Sequence, residues 1–238
     1  MAIGKEFLEL QGVIGYSFRD ITYLENALTH SSYSYEMKNR GINAASNERL
    51  EFLGDAVLQL IISEYLYNNF KNRNEGVLTK MRQQLVCERT LSKIAIDISL
   101  GDYINVGKGE ENTDCRKRPK VLADALEAVI AAIYIDAGDG GKAAAERSVL
   151  LLFSNEIKNA ADMRKSDYKT TLQEVIEKDG SAVLEYAVVA TEGPEHEKTF
   201  TVEARVDNNV VGRASAGSKK EAEMRAAKEA LVLFGVDV

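Results

Sequence analysis

The sequence predicts two domains of different class, an all-helical N-terminal domain and a smaller C-terminal domain with the element order αβββα. From residue 4 to about residue 157, apolar residues recur every three or four positions, which is the period of an amphipathic helix. After residue 183 the period changes to two, which is typical of strands. A chain of 238 residues with 45% apolar residues is long enough for each domain to bury its own core.

Six main helices are expected in the first domain. They are predicted over Ile21–Thr29, Ser46–Asn69, Gly76–Val86, Glu88–Ile98, Pro119–Asp136 and Gly140–Asn159. Residues 101–120 read GDYINVGKGEENTDCRKRPK, and their glycines and charges predict an exposed loop. Such a loop is either functional or a solvated connector, and the sequence leaves both open.

The second domain follows a polar segment without an apolar period. We expect a linker at residues 159–165, which places the domains at residues 1–158 and 166–238. The segment DYKTTLQEVIEKDG predicts a helix that ends at Gly180. Three strands are predicted in VLEYAVVATEG, KTFTVEARV and NVVGRASA, and a closing helix in SKKEAEMRAAKEALVLFG. The alternation places one set of side chains on the inner sheet face: Leu184, Tyr186, Val188, Phe200, Val202, Ala204 and Val206.

Composition argues against a membrane protein and against a zinc protein. The longest apolar runs, such as AVLQLII and SVLLLF, fall far short of the ~20 residues of a membrane span. The N-terminus, MAIGKEFLEL, lacks a basic region that leads into a long apolar segment. Cys87 and Cys115 form no CxxC pair and have no histidine cluster nearby, which suits a reducing compartment. We therefore expect a soluble, cytoplasmic protein.

Charge limits how the chain can bind nucleic acid. The net charge is −7. From Ser166 onward there are nine Lys plus Arg and fourteen Asp plus Glu, a net of −5, which leaves −2 for residues 1–165. Because phosphate binding depends on Lys and Arg, any nucleic-acid binding must use local basic patches.

The stretch NERLEFLGDAVL carries acids on one face of its predicted helix. Glu48, Glu51 and Asp55 fall within about 60° of one another. A separate apolar face is formed by Leu50, Leu53, Val57 and Ile61. Gly54 stands in the middle of the helix, where glycine costs roughly 1 kcal/mol relative to alanine. The glycine predicts that another group approaches this backbone closely, although a solvated acidic face with an accidental glycine is the alternative.

A second pair of acids favours the functional interpretation. Asp124 and Glu127 are the only acids within VLADALEAVIAAIY, and their i, i+3 spacing points them the same way. The segment supplies no base, and buried carboxylates without a cation are forced toward the neutral form. If the two helices face each other, Glu51 and Asp55 join this pair.

Such a cluster predicts a metal site. Oxygen ligands without His or Cys favour Mg²⁺ or Mn²⁺ over zinc. A metal held by carboxylates can activate water and stabilise the charge that develops during phosphodiester hydrolysis. The chain has two histidines, and we expect His30 to be structural, so the sequence offers no competing Ser/His or Cys/His nucleophile.

The closing helix begins with two lysines. Lys219 and Lys220 follow Ser218, at the helix end where the dipole disfavours cations. The free backbone N–H groups there, together with two ammonium groups, suit a phosphate. A solvated run screened by Glu221 and Glu223 is the alternative.

Two further patches could read an RNA duplex. The connection GPEH, residues 193–196, ends in a histidine that could enter a shallow minor groove. Gln173 and Glu174, on the first helix of the second domain, offer groups for 2′-hydroxyls.

The motifs together resemble bacterial ribonuclease III. ERLEFLGDA, LTHSSY, GKGEE, RPKVLADALEAVIAAIYID and GSKKEAEMRAA fall in the order of that family, and the resemblance extends from about Phe7 to Phe234. It implies a helical endonuclease domain that forms a homodimer with a catalytic valley, in which each active site cuts one strand. It also implies a C-terminal double-stranded-RNA-binding domain. The implied activity is Mg²⁺-dependent hydrolysis of double-stranded RNA to 5′-phosphate and 3′-hydroxyl ends, in RNA processing such as precursor rRNA maturation.

The resemblance also implies roles for individual residues. The Mg²⁺ ligands and catalytic residues would be Glu51, Asp55, Asp124 and Glu127, with Glu127 the most critical. Glu48 would position metal or substrate. RNA would be contacted by Gln173, Glu174, His196, Lys219 and Lys220. Two departures could weaken RNA binding: Glu177 replaces a frequent Gln, and GRASAG, Gly212–Gly217, has alanines where glycines are common.

Two other functions remain open at this point. One is a double-stranded-RNA-binding protein whose nuclease fold has lost its activity, although the presence of all four acids favours the enzyme. The other is a helical nucleotide pyrophosphohydrolase that holds Mg²⁺ on helix-borne acids, which would leave the C-terminal domain unexplained.

Overall fold

A computed structural model describes residues 5–71, 73–165, 168–179, 182–194 and 198–236. The chain divides into two units, Met1–Ala160 and Ala161–Val238. The first is helical and the second contains a sheet, as the sequence predicts.

Ten helices precede residue 166 in the described ranges. They are α1 Lys5–Ile14, α2 Thr22–Ala27, α3 Ser31–Asn39, α4 Glu48–Asn69, α5 Glu75–Leu85, α6 Glu88–Asp97, α7 Lys108–Glu111, α8 Pro119–Asp136, α9 Gly141–Leu152 and α10 Ser154–Lys165. Short 3₁₀ turns lie at Leu100–Tyr103, Cys115–Lys117 and Gly138–Gly140. The predicted loop at residues 101–120 therefore holds α7 and two of these turns.

Helix α8 is the centre of the first unit. It begins with Pro119 at its first position, where the missing N–H leaves no bond unmade. Twelve of its 18 residues are buried, and it packs against α2, α4, α6 and α9. Many of these residues are alanines, which let neighbouring helices approach closely. Asp124 and Glu127, the two acids in the first half of α8, are only half-buried, and both lie on the side that faces α4.

The end of α8 is fixed to the N-terminal segment by Asp136. Its buried carboxylate accepts the Tyr16 hydroxyl at 2.7 Å and the backbone N–H groups of Arg19 and Asp20 at 2.8 Å each. A buried charge requires such donors. The loop between α1 and α2 is therefore held against the end of α8.

The structure differs from the sequence prediction at the end of the first unit. The helix predicted over Gly140–Asn159 is two helices, because the backbone turns at Phe153 (φ −90°, ψ 2°) while its ring is fully buried. The predicted linker at 159–165 is helical through Lys165, since NAADMRK contains helix-forming residues and neither Gly nor Pro. The domain limits 1–158 and 166–238 remain a prediction.

His30 has the structural role that we expected of it. Its ring Nδ1 accepts the Ser32 backbone N–H at 3.3 Å and thereby caps α3. The Ser32 hydroxyl accepts the Gly107 N–H at 2.9 Å. The pair ties the loop before α7 to the start of α3.

The second unit has the order αβββα. Its elements are α11 Tyr168–Asp179, β1 Leu184–Glu192, β2 Thr199–Val206, β3 Asn209–Ala216 and α12 Lys219–Leu233, with the antiparallel sheet ordered β1-β2-β3. Its core is Leu172, Ile176, Val202, Ala204, Ala216, Ala222, Ala226, Ala227, Ala230 and Leu231. Val188 was predicted to face inward but is 41% exposed, because the strand register shifts between Val188 and Ala190.

No helix within the described ranges is long and apolar enough to span a membrane.

Candidate active site and nucleic-acid interface

Helices α4 and α8 approach each other very closely at the acids. A Cβ atom placed on Gly54 would lie 1.9 Å from the backbone oxygen of Glu127. Any larger residue would push α4 and α8 apart. The group that the mid-helix glycine was predicted to admit is therefore the backbone of α8.

This crossing brings three of the predicted acids together. Carboxylate oxygens of Glu51, Asp124 and Glu127 lie within 4.8 Å of one another, and all three residues are half-buried. Glu51 comes from the first turn of α4, while Asp124 and Glu127 come from α8. The two acids spaced i, i+3 on α8 thus meet the acidic face of α4, as predicted.

Like charges at this spacing raise the proton affinity of the cluster. Burial, followed by the charges of Asp55, Asp124 and Glu51, raises the pKa of Glu127 to about 8. Burial and the charge of Asp124 also raise the pKa of Glu51. The shifts show that the fully ionised cluster is unfavourable without a counter-ion. Because the donors are all carboxylate oxygens, they fit a hard divalent cation.

Asp55 lies beside this group and is held by a neighbour that the sequence analysis did not identify. Gln59 Nε2 donates to Asp55 Oδ1 at 2.8 Å and to Oδ2 at 3.0 Å. Among the charges that affect Glu127, that of Asp55 has the largest effect. Asp55 is therefore close to Glu127, although it is not one of the three acids within 4.8 Å.

Asp124 also has a partner that the sequence analysis missed. Lys120, in the first turn of α8, lies 3.3 Å from the Asp124 carboxylate. The segment VLADALEAVIAAIY contains no base, and this lysine stands just before it. Lys120 and Gln59 each lie four residues from an acid, and that i, i+4 spacing is the signal that could have revealed both.

Glu48 lies apart from the cluster. Its side chain is exposed and accepts the Ser46 hydroxyl at 2.7 Å. Its charge still contributes to the raised pKa of Glu51, after burial and Asp124. Glu48 is thus within electrostatic reach of the three clustered acids without being one of them.

In the second unit the lysines stand where they were predicted. Ser218 caps α12 by accepting the Glu221 backbone N–H at 3.3 Å. Lys219 and Lys220 follow and are exposed. Lys219 Nζ lies 3.9 Å from Glu223, whose other oxygen is 2.7 Å from Lys169 on α11. Glu223 is therefore shared between Lys169 and Lys219, and it screens the charge of Lys219 only weakly.

The other predicted RNA contacts are only partly visible. Gln173 is exposed, and its Nε2 donates to Glu177 Oε1 at 2.7 Å, while Glu174 is half-buried on the same helix. His196 lies outside the described residues. In GRASAG, Ala214 packs against the core of the second unit and Ala216 is part of that core.

These features define a class of protein. A helical domain with clustered carboxylates, joined to an αβββα domain whose last helix begins with exposed lysines, is the arrangement of a nuclease that acts on double-stranded RNA. Comparison with known proteins identifies the family. Residues 20–157 match the family described as Ribonuclease-III-like, and residues 168–232 match the double-stranded RNA binding motif.

Named relatives are similar in sequence over nearly the whole chain. Ribonuclease 3 of Clostridium beijerinckii is 47% identical over 225 residues, which are 94% of each protein. Ribonuclease 3 of Caldanaerobacter subterraneus subsp. tengcongensis is 46% identical over 228 residues, covering 95% of this chain and 97% of that protein. The chain belongs to the ribonuclease III family, and it is a double-stranded-RNA endoribonuclease.

Solved structures show the same nuclease fold. The nuclease domain of ribonuclease III from Campylobacter jejuni superposes with a TM-score of 0.56 at 41% identity, over 63% of this chain and 96% of that one. A second structure of that domain, with a TM-score of 0.53 and 41% identity, covers 61% of this chain and 97% of its own. It describes flexibility in a region involved in dimer formation of the Campylobacter jejuni protein.

Proposed function

We propose that this protein is a Mg²⁺-dependent endonuclease that hydrolyses phosphodiester bonds of double-stranded RNA and leaves 5′-phosphate and 3′-hydroxyl ends. The observation that carries the proposal is the cluster of Glu51, Asp124 and Glu127 within 4.8 Å, at the crossing that Gly54 makes possible. Enzymes of this family generally depend on divalent metal. Mn²⁺ has the same preference for oxygen ligands and is the expected substitute.

Each acid has a proposed role. Glu51, Asp55, Asp124 and Glu127 would hold the metal, and Glu48 would position the substrate. A bound metal supplies an activated water and neutralises charge on the reacting phosphate. Burial and the neighbouring acids raise the pKa of Glu127 to about 8 in the metal-free protein, so Glu127 would have to lose a proton in order to act as a ligand. Lys120 lies 3.3 Å from the Asp124 carboxylate and compensates its charge in the metal-free protein, and this positive charge would compete with a metal held there.

The second domain would hold the duplex. We assign RNA contacts to five residues: Gln173, Glu174, His196, Lys219 and Lys220. The exposed lysines at the N-terminus of α12 support this assignment, since free N–H groups and ammonium groups together suit a phosphate. Contacts to phosphates and 2′-hydroxyls would make binding depend on duplex shape and not on base sequence.

A homodimer through the helical domain completes the proposal. Phe52, Leu60 and Tyr67 on α4 are 81%, 55% and 73% exposed. Their spacings of eight and seven residues place them along one side of α4, next to the acids. A second copy of the chain would cover this stripe and bring a second acidic cluster, so that both strands of a duplex are cut.

The oligomeric state can be measured on the full chain. Sedimentation should give twice the chain mass, and F52D should shift the protein toward the monomer because it places a charge in the proposed interface. I96D is the control, since Ile96 is 60% exposed on α6. A wild-type monomer would contradict the dimer.

In the cell, the proposed role is RNA processing in the cytoplasm, such as maturation of precursor rRNA. Cys87 and Cys115 are both free thiols, which is compatible with a reducing compartment.

Incubation with a long RNA duplex tests the proposed reaction. With Mg²⁺ we expect short products whose 5′ ends lose phosphate to a phosphatase and whose 3′ ends accept ligation to a 5′-phosphate. With EDTA the duplex should remain intact. Binding without cleavage in Mg²⁺ would instead identify an inactive duplex-binding protein.

A further inference from the structure

Gln59 lies one turn after Asp55 on α4, and its side chain contacts both oxygens of that carboxylate. The Nε2–Oδ1 and Nε2–Oδ2 distances are 2.8 and 3.0 Å, and both residues are half-buried. We propose that Gln59 is a positioning residue, which holds the Asp55 carboxylate in the orientation that metal binding requires. The inference rests on the proposed function, because it takes Asp55 to be a metal ligand.

Asp55 needs such a partner because its surroundings repel it. Its charge is the largest single charge effect on Glu127, so the two carboxylates lie close together. Glu51, one turn earlier on the same helix, adds a third negative group. A free aspartate can rotate about χ1 and move its charge toward solvent. The Gln59 amide opposes that rotation because it offers its positive end to both oxygens.

The contact leaves the carboxylate able to bind a cation. Each carboxylate oxygen has two lone pairs, so an oxygen that accepts one N–H keeps a lone pair for metal. Groups that hydrogen-bond a ligand carboxylate in this way orient it and raise metal affinity. Asp55 can therefore bind metal without leaving Gln59.

Comparison with Lys120 shows why an amide suits this place. Lys120 contacts Asp124 with the same four-residue spacing, but its positive charge competes with a metal for the carboxylate. The Gln59 amide is neutral and does not compete. The two partners thus have opposite effects: Lys120 compensates charge in the metal-free cluster, and Gln59 fixes geometry for the metal-bound one.

Mn²⁺ binding to the full-length, RNA-free protein tests the inference. Free Mn²⁺ is measured by electron paramagnetic resonance for wild type, Q59L and Q59A. We expect the Kd for Mn²⁺ to rise about 10-fold in both variants. This is the usual loss of affinity when a ligand carboxylate loses its hydrogen-bond partner. N69L is the matched control, because Asn69 Nδ2 donates to the Tyr65 backbone oxygen on the same helix, more than three turns after Asp55. Its Kd should equal that of the wild type.

A double-mutant cycle with D55A separates positioning from a general structural effect. If Gln59 acts through Asp55, adding Q59L to D55A should leave the Kd of D55A unchanged. Weak Mn²⁺ binding in D55A together with wild-type binding in Q59L and Q59A would overturn the positioning role and leave the proposed function standing. A full Q59L effect in the D55A background would also overturn it. Wild-type binding in D55A would overturn the assignment of Asp55 as a ligand, and this inference with it.

Discussion

In the first domain, carboxylates of Glu51, Asp124 and Glu127 lie within 4.8 Å of one another, whereas in the second domain Lys169 lies 2.7 Å from Glu223. The first arrangement gathers like charges at a helix crossing, where burial makes their repulsion strong. The second pairs opposite charges and leaves Lys219 and Lys220 exposed. Repulsion among clustered acids, which a bound cation would relieve, suits a metal site, and dispersed cations suit a polyanion. Chemistry and RNA binding should therefore be separable by mutation.

The largest combined effect on cleavage and stability should follow from G54A. The added Cβ would lie 1.9 Å from the Glu127 backbone oxygen, so α4 and α8 must separate and the acids must move apart. We expect cleavage to fall on the order of 100-fold and the free energy of unfolding to fall by about 1–3 kcal/mol. Single-turnover cleavage and urea unfolding measure the two effects.

G12A is the control for that variant. Gly12 lies within α1, and a Cβ atom there meets nothing within 4 Å, so alanine should raise stability by up to about 1 kcal/mol. Wild-type cleavage and stability in G54A would show that the helix crossing does not set the geometry of the acids.

The second prediction concerns the pH dependence of the metal-free protein. The folded-state pKa of Glu127 is raised from 4.5 to about 8. Between these values the folded protein holds a proton that the unfolded chain has lost, so the stability that Glu127 contributes is fully present below pH 4.5 and is lost as pH rises through 8. We expect a loss of about 2 kcal/mol, less than the full shift would give because solvent screens a half-buried group.

Urea unfolding in EDTA at several pH values measures this loss. E127Q cannot titrate and should show a flatter dependence between pH 5 and 9. The Glu51 carboxyl, whose pKa is also raised, would retain a smaller slope in that variant. If the free energy of unfolding depended on pH equally in wild type and E127Q, the repulsion at Glu127 would be relieved without metal.

The third prediction concerns the second domain. K219A/K220A should weaken duplex binding on the order of 10-fold and lower the slope of log K against log salt by about 2, because each lost phosphate contact contributes about 1. The loss should be similar for duplexes of unrelated sequence. K228A, on the same helix, is the matched control, since Lys228 lies 5.3 Å from the centre of the Tyr168 ring. If the double variant kept the wild-type salt slope, the RNA would be held elsewhere.

The smallest effect should come from E177Q. Glu177 is exposed on α11 and accepts the Gln173 amide at 2.7 Å. Removing its charge should raise duplex affinity about 2-fold at low salt. This is the effect expected from one charge interaction at an exposed surface. E185Q, which removes an exposed charge from β1, should change affinity less. Unchanged binding in E177Q would show that this departure from the family pattern has no effect on RNA binding.

The acids and Gly54 could be found from the sequence, because residue type and helical spacing fix which side chains share a face. Their partners were harder to find. Gln59 and Lys120 stand four residues from an acid, as many solvated surface pairs do, so only the fold shows that these two pairs adjoin the cluster. The turn at Phe153 could not be predicted for another reason. A buried ring fits the helical period equally well whether the helix continues or breaks at that residue.

The separation of chemistry from RNA binding is tested most directly by single-turnover cleavage at saturating RNA, with E127Q and K219A/K220A compared in Mg²⁺. E127Q removes a metal-ligand charge and keeps the side-chain shape. It should bind duplex as the wild type does and lose cleavage on the order of 10³-fold. K219A/K220A should cleave at the wild-type rate once RNA is saturating, because its acids are intact. Wild-type cleavage by E127Q, or an equal loss of rate in both variants, would contradict the account.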